Sequence, residues 1–183
     1  MKTRDMILIS LFAALTAIGA FIKIQIGIVP FTFQFFFCAY SGVLLGSRKS
    51  FISQLLYVSI GLIGIPVFAN GGGFTYIFQP TFGYLIGFMA CGYVIGYLTE
   101  RIKTMTFPKI MASVLVGLAV VYLIGVPYLY MIVKLYLGKS TYTLMAAIAS
   151  GFLPYIVPDI IMSVIIATTS MYILPRLKKA RLV

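Results

Sequence analysis

Residues 50–99 read SFISQLLYVSIGLIGIPVFANGGGFTYIFQPTFGYLIGFMACGYVIGYLT and contain no charged side chain. Soluble domains carry roughly 25% charged residues, so an uncharged run of this length is typical of segments that cross a membrane. The whole chain agrees with this, since 62% of its 183 residues are hydrophobic and only 9% are charged. The composition predicts an all-α, polytopic membrane protein with a single transmembrane domain over 1–183.

Uncharged apolar runs of about 20 residues mark the predicted spans. Pro127 is expected to kink the fifth span, because an interior proline deletes a helix hydrogen bond. Region 141–174 is too long for one straight span and contains Pro154 and Pro158, so we expect a short outer segment before the last helix. The six predicted helices cover about residues 5–24, 33–46, 50–67, 80–98, 109–133 and 155–175. Six spans place both termini on the same side of the membrane.

The basic residues indicate which side that is, because lysine and arginine concentrate in cytoplasmic loops. With both termini in the cytoplasm, the inner side holds eleven of the 14 lysines and arginines. These are Lys2, Arg4, Arg48, Lys49, Arg101, Lys103, Lys109, Arg176, Lys178, Lys179 and Arg181. The outer side holds Lys23, Lys134 and Lys139. This topology explains much of the net charge of +11, so we expect no nucleic-acid partner.

The predicted outer loop, 66–84, reads PVFANGGGFTYIFQPTFGY. It contains Gly71, Gly72 and Gly73 in a row, with Asn70 and Gln79 as amides on either side and aromatic residues in between. Glycine lets the backbone approach a ligand closely, and amides are neutral donors and acceptors. The loop therefore predicts a small-molecule pocket. The alternative is an interfacial loop whose aromatic residues belong to the aromatic belt of the membrane.

Asp159, directly after Pro158, is the one carboxylate of the three that lies inside an apolar region. A carboxylate at membrane depth is costly and is taken as functional by default. Its two oxygens can accept two hydrogen bonds, which predicts binding of an uncharged ligand that carries N–H groups. The alternative is that Asp159 caps a helix after the proline.

Several kinds of chemistry are missing from the sequence. There is no histidine, which removes Ser-His and Cys-His nucleophilic sites and the commonest metal ligand. There is also no G-x-x-x-x-G-K-[ST] motif, so the chain has no P-loop for ATP hydrolysis. We therefore expect no catalytic residues, no metal and no cofactor. The chain is equipped to bind a ligand but not to energise its transport alone.

Small residues form stripes on two of the predicted helices. On helix 1 they share one face and are Ser10, Ala13, Ala17 and Ala20. Small residues let another helix pack closely in lipid, so this stripe predicts either packing inside the bundle or a docking face for a partner membrane protein. Helix 4 has glycines on two opposite faces, for which we predict internal packing: Gly83, Gly87, Gly92 and Gly96.

Four segments and one dipeptide match a known family of membrane proteins. They are AALTAIGAFIKI (13–24), VPFTFQFFF (29–37), SQLLYVSIGLIGIPVFANGGG (53–73), QPTFGYLIGF (79–88) and the pair Pro158-Asp159. With these motifs, which span essentially the whole chain, the sequence resembles the BioY family. Its members are the biotin-specific, substrate-binding membrane subunits (S components) of energy-coupling factor (ECF) transporters.

The resemblance implies a six-helix bundle of the ECF S-component type in a prokaryotic cell membrane, surrounded by lipid, with both termini cytoplasmic. It implies high-affinity capture of biotin from outside and its uptake through partner subunits. Those partners are a transmembrane coupling protein and two cytoplasmic ATPases, which supply the P-loops that this chain lacks. The resemblance also implies that Ala13 and Ala17 contact the partner.

The resemblance implies roles for the candidate binding residues as well. Asp159 would accept hydrogen bonds from the ureido N–H groups of biotin, and Asn70 would donate one to the ureido oxygen. Other residues would close the pocket or add hydrogen bonds and shape, namely Gly71, Gly72, Gly73, Phe74, Gln34, Gln79 and Tyr84.

The sequence departs from the family pattern at Met162, where relatives often have a lysine three residues after the aspartate. The group that meets the biotin carboxylate therefore stays open among Lys23, Lys134, Lys139 and the backbone N–H groups of the glycine triplet. Two other functions also stay open: an S component for a different small vitamin or heterocycle, and a structural membrane protein without a ligand.

Overall fold

The computed structural model describes residues 2–102 and 104–179, and within them it contains seven α-helices and one β-hairpin. The helices are α1 (Thr3–Phe21), α2 (Gln34–Leu45), α3 (Ser47–Leu62), α4 (Phe82–Glu100), α5 (Phe107–Met131), α6 (Leu144–Gly151) and α7 (Leu153–Lys179). The strands β1 (Lys23–Gln25) and β2 (Pro30–Thr32) pair antiparallel between α1 and α2. Of the basic residues assigned to the inner side, Lys103, Arg181 and the side chain of Lys178 lie outside the described residues.

Four helical segments are long and apolar enough to cross a membrane, which makes the chain a multi-pass membrane protein. They are Thr3–Phe21, Phe82–Glu100, Phe107–Tyr136 and Leu153–Leu177. The third of these includes a π-helical turn, Ile132–Tyr136, that continues α5. The helices α2 and α3 are shorter, with 12 and 16 residues.

The predicted helix bounds differ from the structure most clearly in three helices. The first helix was expected to reach residue 24 but ends at Phe21, because the chain enters strand β1 at Lys23. The third helix was expected to reach residue 67 but ends at Leu62, because Gly64 adopts a φ of +112° that a helix cannot accommodate. The fourth helix begins at Phe82 rather than at residue 80, after a short 3₁₀ helix, Phe74–Phe78. The loop between α3 and α4 is therefore partly ordered by local hydrogen bonds.

The last apolar region, 141–174, divides as expected into a short segment and a long helix. The short segment is α6, which ends where Phe152 leaves helical geometry. The long helix, α7, starts at Leu153, two residues before the predicted position. Pro154 lies in its first turn, where a proline is tolerated, and Pro158 lies inside the helix.

The helix α4 lies at the centre of the bundle and contacts α2, α3 and α5. A Cβ atom at Gly87 would lie 3.0 Å from both the Cα and the carbonyl oxygen of Val121 on α5. On the opposite face, a Cβ at Gly96 would overlap the backbone at the start of α3. A Cβ at Gly83 would overlap the side chain of Tyr128 on α5, and one at Gly92 would overlap the side chain of Ser50 on α3. The prediction that these glycines serve internal packing is confirmed.

Two of the three carboxylates tie helix ends together at one end of the bundle. Asp5 on α1 forms a 2.7 Å salt bridge with Lys49 on α3. Glu100, the last residue of α4, accepts a hydrogen bond of 2.7 Å from the Ser47 backbone N–H and another from its hydroxyl. Glu100 thereby satisfies donors at the N-terminus of α3, where a negative charge is favourable.

We predict that Gly87→Leu lowers the thermal unfolding midpoint in detergent, because the new side chain forces α4 away from the backbone of α5. Overpacking of this kind costs about 1–3 kcal/mol. The matched control is Ala112→Leu, at an exposed position of α5, which should leave the midpoint unchanged. An equal midpoint in Gly87→Leu and the wild-type protein would contradict the packing described for α4.

Candidate functional site

A cavity of about 590 Å³, including its open mouth, lies between the β-hairpin, the loop before α4, and helices α2, α4, α5 and α7. Its wall is mostly apolar and includes Leu85, Phe88, Leu118 and Val121. The polar side chains in the lining are Thr32, Gln34, Tyr76, Thr81, Tyr84, Tyr122, Tyr155 and Asp159.

Asp159 is the only carboxylate in this lining and is 7% exposed. The hydroxyl of Tyr122 donates a hydrogen bond to its Oδ2 atom. Its Oδ1 atom has no hydrogen-bond partner within 2–102 and 104–179. Asp159 lies well inside α7, so it does not cap the helix. It is therefore positioned to accept a hydrogen bond from a donor in the cavity.

Tyr122 is held by aromatic neighbours on α4 and after α6. Its ring packs edge-to-face against Phe152, with centroids 4.8 Å apart, and against Tyr84 at 6.4 Å. Tyr84 in turn donates a 2.8 Å hydrogen bond to the Gly151 carbonyl. The side chain that orients Asp159 is thus itself fixed by packing against two aromatic rings, one of which is held by its own hydrogen bond to Gly151.

Gln34 lines the cavity at the start of α2 and uses both ends of its amide. Its Oε1 atom accepts from the Thr32 hydroxyl at 2.9 Å, and its Nε2 atom donates to the Tyr57 hydroxyl at 2.8 Å. Tyr57 then donates to the Val67 carbonyl at 3.1 Å. This chain of bonds joins the hairpin, α3 and the loop around the cavity, and it leaves Gln34 one N–H for a ligand.

The hairpin forms one wall of the cavity and is anchored by Tyr155. The Tyr155 hydroxyl donates to the Val29 carbonyl and lies 3.1 Å from the Ile26 carbonyl oxygen. Tyr155 is four residues before Asp159, so the two side chains share one face of α7. One turn of α7 therefore carries both the buried acid and the anchor of the hairpin.

Asn70 lies beside the mouth of the cavity, and its side chain is exposed. Its neighbour Ala69 is part of the lining. The Nζ atom of Lys23, at the start of β1, donates to the Ala69 carbonyl and lies 3.5 Å from Oδ1 of Asn70. The structure therefore places Asn70 near the cavity but outside its wall.

The remaining loop residues predicted to bind ligand do not line the cavity. Gly71 and Gly73 adopt φ values of +111° and +103°, and the Gly73 N–H donates to the carbonyl of Gly61 at the end of α3. These glycines shape the loop against α3, which uses the conformational freedom that glycine provides. Three other predicted residues also lie outside the lining, namely Gly72, Phe74 and Gln79. The ring of Phe74 is 70% exposed.

The two alanines predicted for docking differ in their surroundings. Ala13 is 3% exposed and belongs to the hydrophobic core, so it packs inside the bundle. Ala17 is half-buried. A docking role for this face of α1 stays a prediction.

Sequence reasoning missed the hairpin and two of the tyrosines that organise the site. Tyr122 is a polar group in the middle of an apolar helix, which could have marked it. Tyr155 could have been found from its spacing of four residues to Asp159. Across the described ranges, no three His, Cys, Asp or Glu residues come together as metal ligands would.

The fold and the cavity define a multi-pass membrane protein with a small-molecule site. A solved structure shares this fold over 98% of this chain and 95% of its own, with a TM-score of 0.82 and 24% identity. It is described as the S-component for biotin from an ECF-type ABC transporter. The BioY family matches residues 1–179, so the chain belongs to the BioY family, as the resemblance implied.

Individual relatives agree with this assignment. A probable biotin transporter BioY from Lysinibacillus sphaericus is 45% identical, over 89% of this chain and 83% of its own length. Another from Pyrococcus horikoshii is 38% identical, over 97% of this chain and 98% of the relative. The biotin transporter BioY of Thermotoga maritima is 37% identical, over 96% of both chains. Proteins in this family are named as transporters and not as enzymes.

We predict that Tyr155→Phe speeds amide hydrogen exchange in the hairpin, because the variant loses the hydrogen bond to the Val29 carbonyl while keeping the ring. Exchange would be followed by mass spectrometry on peptides covering 22–33. Tyr172→Phe is the control, since Tyr172 is 63% exposed on the same helix. If both variants exchange like the wild type, Tyr155 does not anchor the hairpin.

Proposed function

We propose that this chain captures biotin from outside the cell and is the substrate-specific S component of an ECF transporter in a prokaryotic cell membrane. Its full-length relatives are named biotin transporters. The single observation that carries the proposal is the buried carboxylate of Asp159, with one oxygen bound to Tyr122 and the other without a partner in the described part of the chain.

Biotin contains a cyclic urea with two N–H groups, fused to an apolar thioether ring. A carboxylate in an apolar cavity suits such a ligand, because unpaired donors and acceptors are costly away from water. In this proposal Oδ1 of Asp159 accepts from a ureido N–H, and Leu118 and Val121 contact the apolar ring. Tyr84 shapes the cavity wall around the ligand, and Gln34 offers it one further N–H donor.

Asn70 would leave Lys23 at the mouth and turn its amide into the cavity to donate to the ureido oxygen. Since it lies outside the wall, this contact requires the loop before α4 to move inward when the ligand binds. The same movement would bring the other loop residues over the ligand, namely Gly71, Gly72, Gly73, Phe74 and Gln79. We propose that these residues cover the bound ligand.

We further propose six spans, formed by α1, α2, α3, α4, α5 and α7, with α6 as an outer segment and both termini cytoplasmic. The contacts of Asp5 and Glu100 support this, because they join the start of α1, the start of α3 and the end of α4 at one end of the bundle. The hairpin and the loop before α4 lie at the other ends of these helices. The distribution of basic residues then places the cavity mouth outside.

The energy for uptake would come from partner subunits. We propose that a transmembrane coupling protein and two cytoplasmic ATPases associate with this chain, which needs no cofactor of its own. Docking would use the face of α1 that contains Ala17, with Ala13 setting the close packing behind it. This proposal is supported by the small residues of α1 and by the absence of a P-loop from the sequence.

We predict that the purified wild-type protein binds biotin one-to-one in calorimetric titration and does not bind thiamine or riboflavin. Calorimetry is preferred to intrinsic fluorescence because the chain has no tryptophan. Asp159→Ala should weaken biotin binding by about 2–3 kcal/mol, since it leaves buried ligand donors unpaired. Asn70→Ala should cost less, about 1 kcal/mol.

The control for Asp159→Ala is Thr168→Ala, an exposed position of α7 whose hydroxyl bonds only within the helix. It should bind biotin like the wild type. Unchanged affinity in Asp159→Ala would remove Asp159 from the site. No binding of biotin by folded wild-type protein would refute the substrate but not the family fold.

For the partner face, we predict that Ala17→Trp abolishes biotin uptake in cells that contain the partner subunits, while biotin binding in detergent is retained. The bulky ring would block close approach of a partner helix. Ala112→Trp, at an exposed position of α5, should leave both uptake and binding intact. Loss of biotin binding in Ala17→Trp would show that this position serves internal packing instead.

A further inference from the structure

Lys23 carries a positive charge at the mouth of the cavity, and two contacts hold it there. It pairs with Thr32 across the hairpin, and Thr32 lines the cavity. Paired residues of antiparallel strands project to the same face of the sheet. From the other side, the Lys23 ammonium donates to the carbonyl of Ala69, which also lines the cavity.

No Asp or Glu side chain in the described part of this protein pairs with the Lys23 ammonium. The chain has three Asp and Glu residues, and each is engaged elsewhere. Asp5 pairs with Lys49, Glu100 binds the start of α3, and Asp159 is bonded to Tyr122. The oxygens near Lys23 are the neutral acceptors of Ala69 and Asn70. A charged donor held only by neutral oxygens can bind an anion more strongly than it binds these acceptors.

The two other outer lysines, Lys134 and Lys139, are less suited to this role. Lys139 is exposed and does not line the cavity. The Nζ atom of Lys134 donates to the Tyr130 hydroxyl at 2.6 Å, and neither residue lines the cavity. On α7, the position one turn after Asp159 holds Met162, which is apolar and 4% exposed. Lys23 does not line the cavity either, but unlike these residues it donates a hydrogen bond to a residue of the lining, Ala69.

We infer that Lys23 is the anion-binding residue of this site and pairs with a carboxylate at the far end of the ligand. The ligand class is then a compound with N–H donors at one end, which reach Asp159, and a monocarboxylate at the other, which stays at the mouth. This inference rests on the proposed function, because it assigns the carboxylate of biotin to Lys23. It also gives the hairpin a role in recognition, since β1 carries the cation.

The test compares biotin with biotinamide, in which the carboxylate is replaced by a neutral amide. Wild-type protein should bind biotin about tenfold more tightly than biotinamide at low salt, the size expected for one partly exposed charge-assisted hydrogen bond. Lys23→Met should lose this preference by weakening biotin binding alone. Lys23→Arg should keep most of it, and the preference of the wild type should shrink as salt is added.

The biotinamide affinity reports whether the cavity is intact, because a purely structural role of Lys23 would weaken both ligands equally. Lys109→Met, at the start of α5 with its ammonium on Thr104, should change neither affinity. A preference kept by Lys23→Met, or lost in Lys134→Met instead, would overturn the inference. Should Lys23→Met bind neither ligand, Lys23→Arg decides, and equal binding of the two ligands by it overturns the inference.

These outcomes separate the inference from the function on which it rests. Wild-type protein that binds both compounds equally would overturn the role of Lys23 and leave biotin as the ligand. Wild-type protein that binds neither compound would refute the proposed function itself.

Discussion

The bundle depends on the close approach of α4 to its neighbours. This approach is possible because four positions of α4 are glycines and carry no side chain. At Gly87 the neighbouring helix, α5, is so near that even a Cβ atom would touch the Val121 backbone. In lipid there is little hydrophobic force between helices, so van der Waals contact at such short range is a main source of association. The helix held in this way carries Tyr84, Leu85 and Phe88 into the cavity, so the site inherits its geometry from the packing.

A second constraint is the cost of the carboxylate at membrane depth. The structure meets it by enclosing Asp159 with tyrosines and by giving one of its oxygens a hydroxyl donor from Tyr122. The single hydrogen bond from Tyr122 orients the Asp159 side chain and leaves its other oxygen free to accept a hydrogen bond from another donor. The apolar wall strengthens such a hydrogen bond, because little water is present to compete for the same donor and acceptor.

Much of this architecture follows from the sequence. Uncharged runs located the helices, and opposed glycines on the fourth predicted span indicated its packing. Asp159 was predicted from its polarity in apolar surroundings, and Gln34 and Tyr84 from the resemblance to the family; all three line the cavity. The hairpin was not predicted, because its strands have three residues each and Gly27 alone marks the turn. Ligand contact by the glycine triplet stays a prediction; the positive φ angles of Gly71 and Gly73 show that these two residues also shape the loop, which the sequence alone did not indicate.

The arrangement of Tyr155 and Asp159 on one turn of α7 has a kinetic consequence for a biotin-binding protein. A ligand bonded to the acid would lie beside a hairpin that is fastened to the same turn, so opening of the fastening would widen its route out of the cavity. Affinity differences between related complexes arise mostly from dissociation rates. The residence time of the ligand, and hence the interval in which a partner can take over the loaded subunit, would then depend on a single phenol hydroxyl in the cavity wall as well as on the contact with the acid.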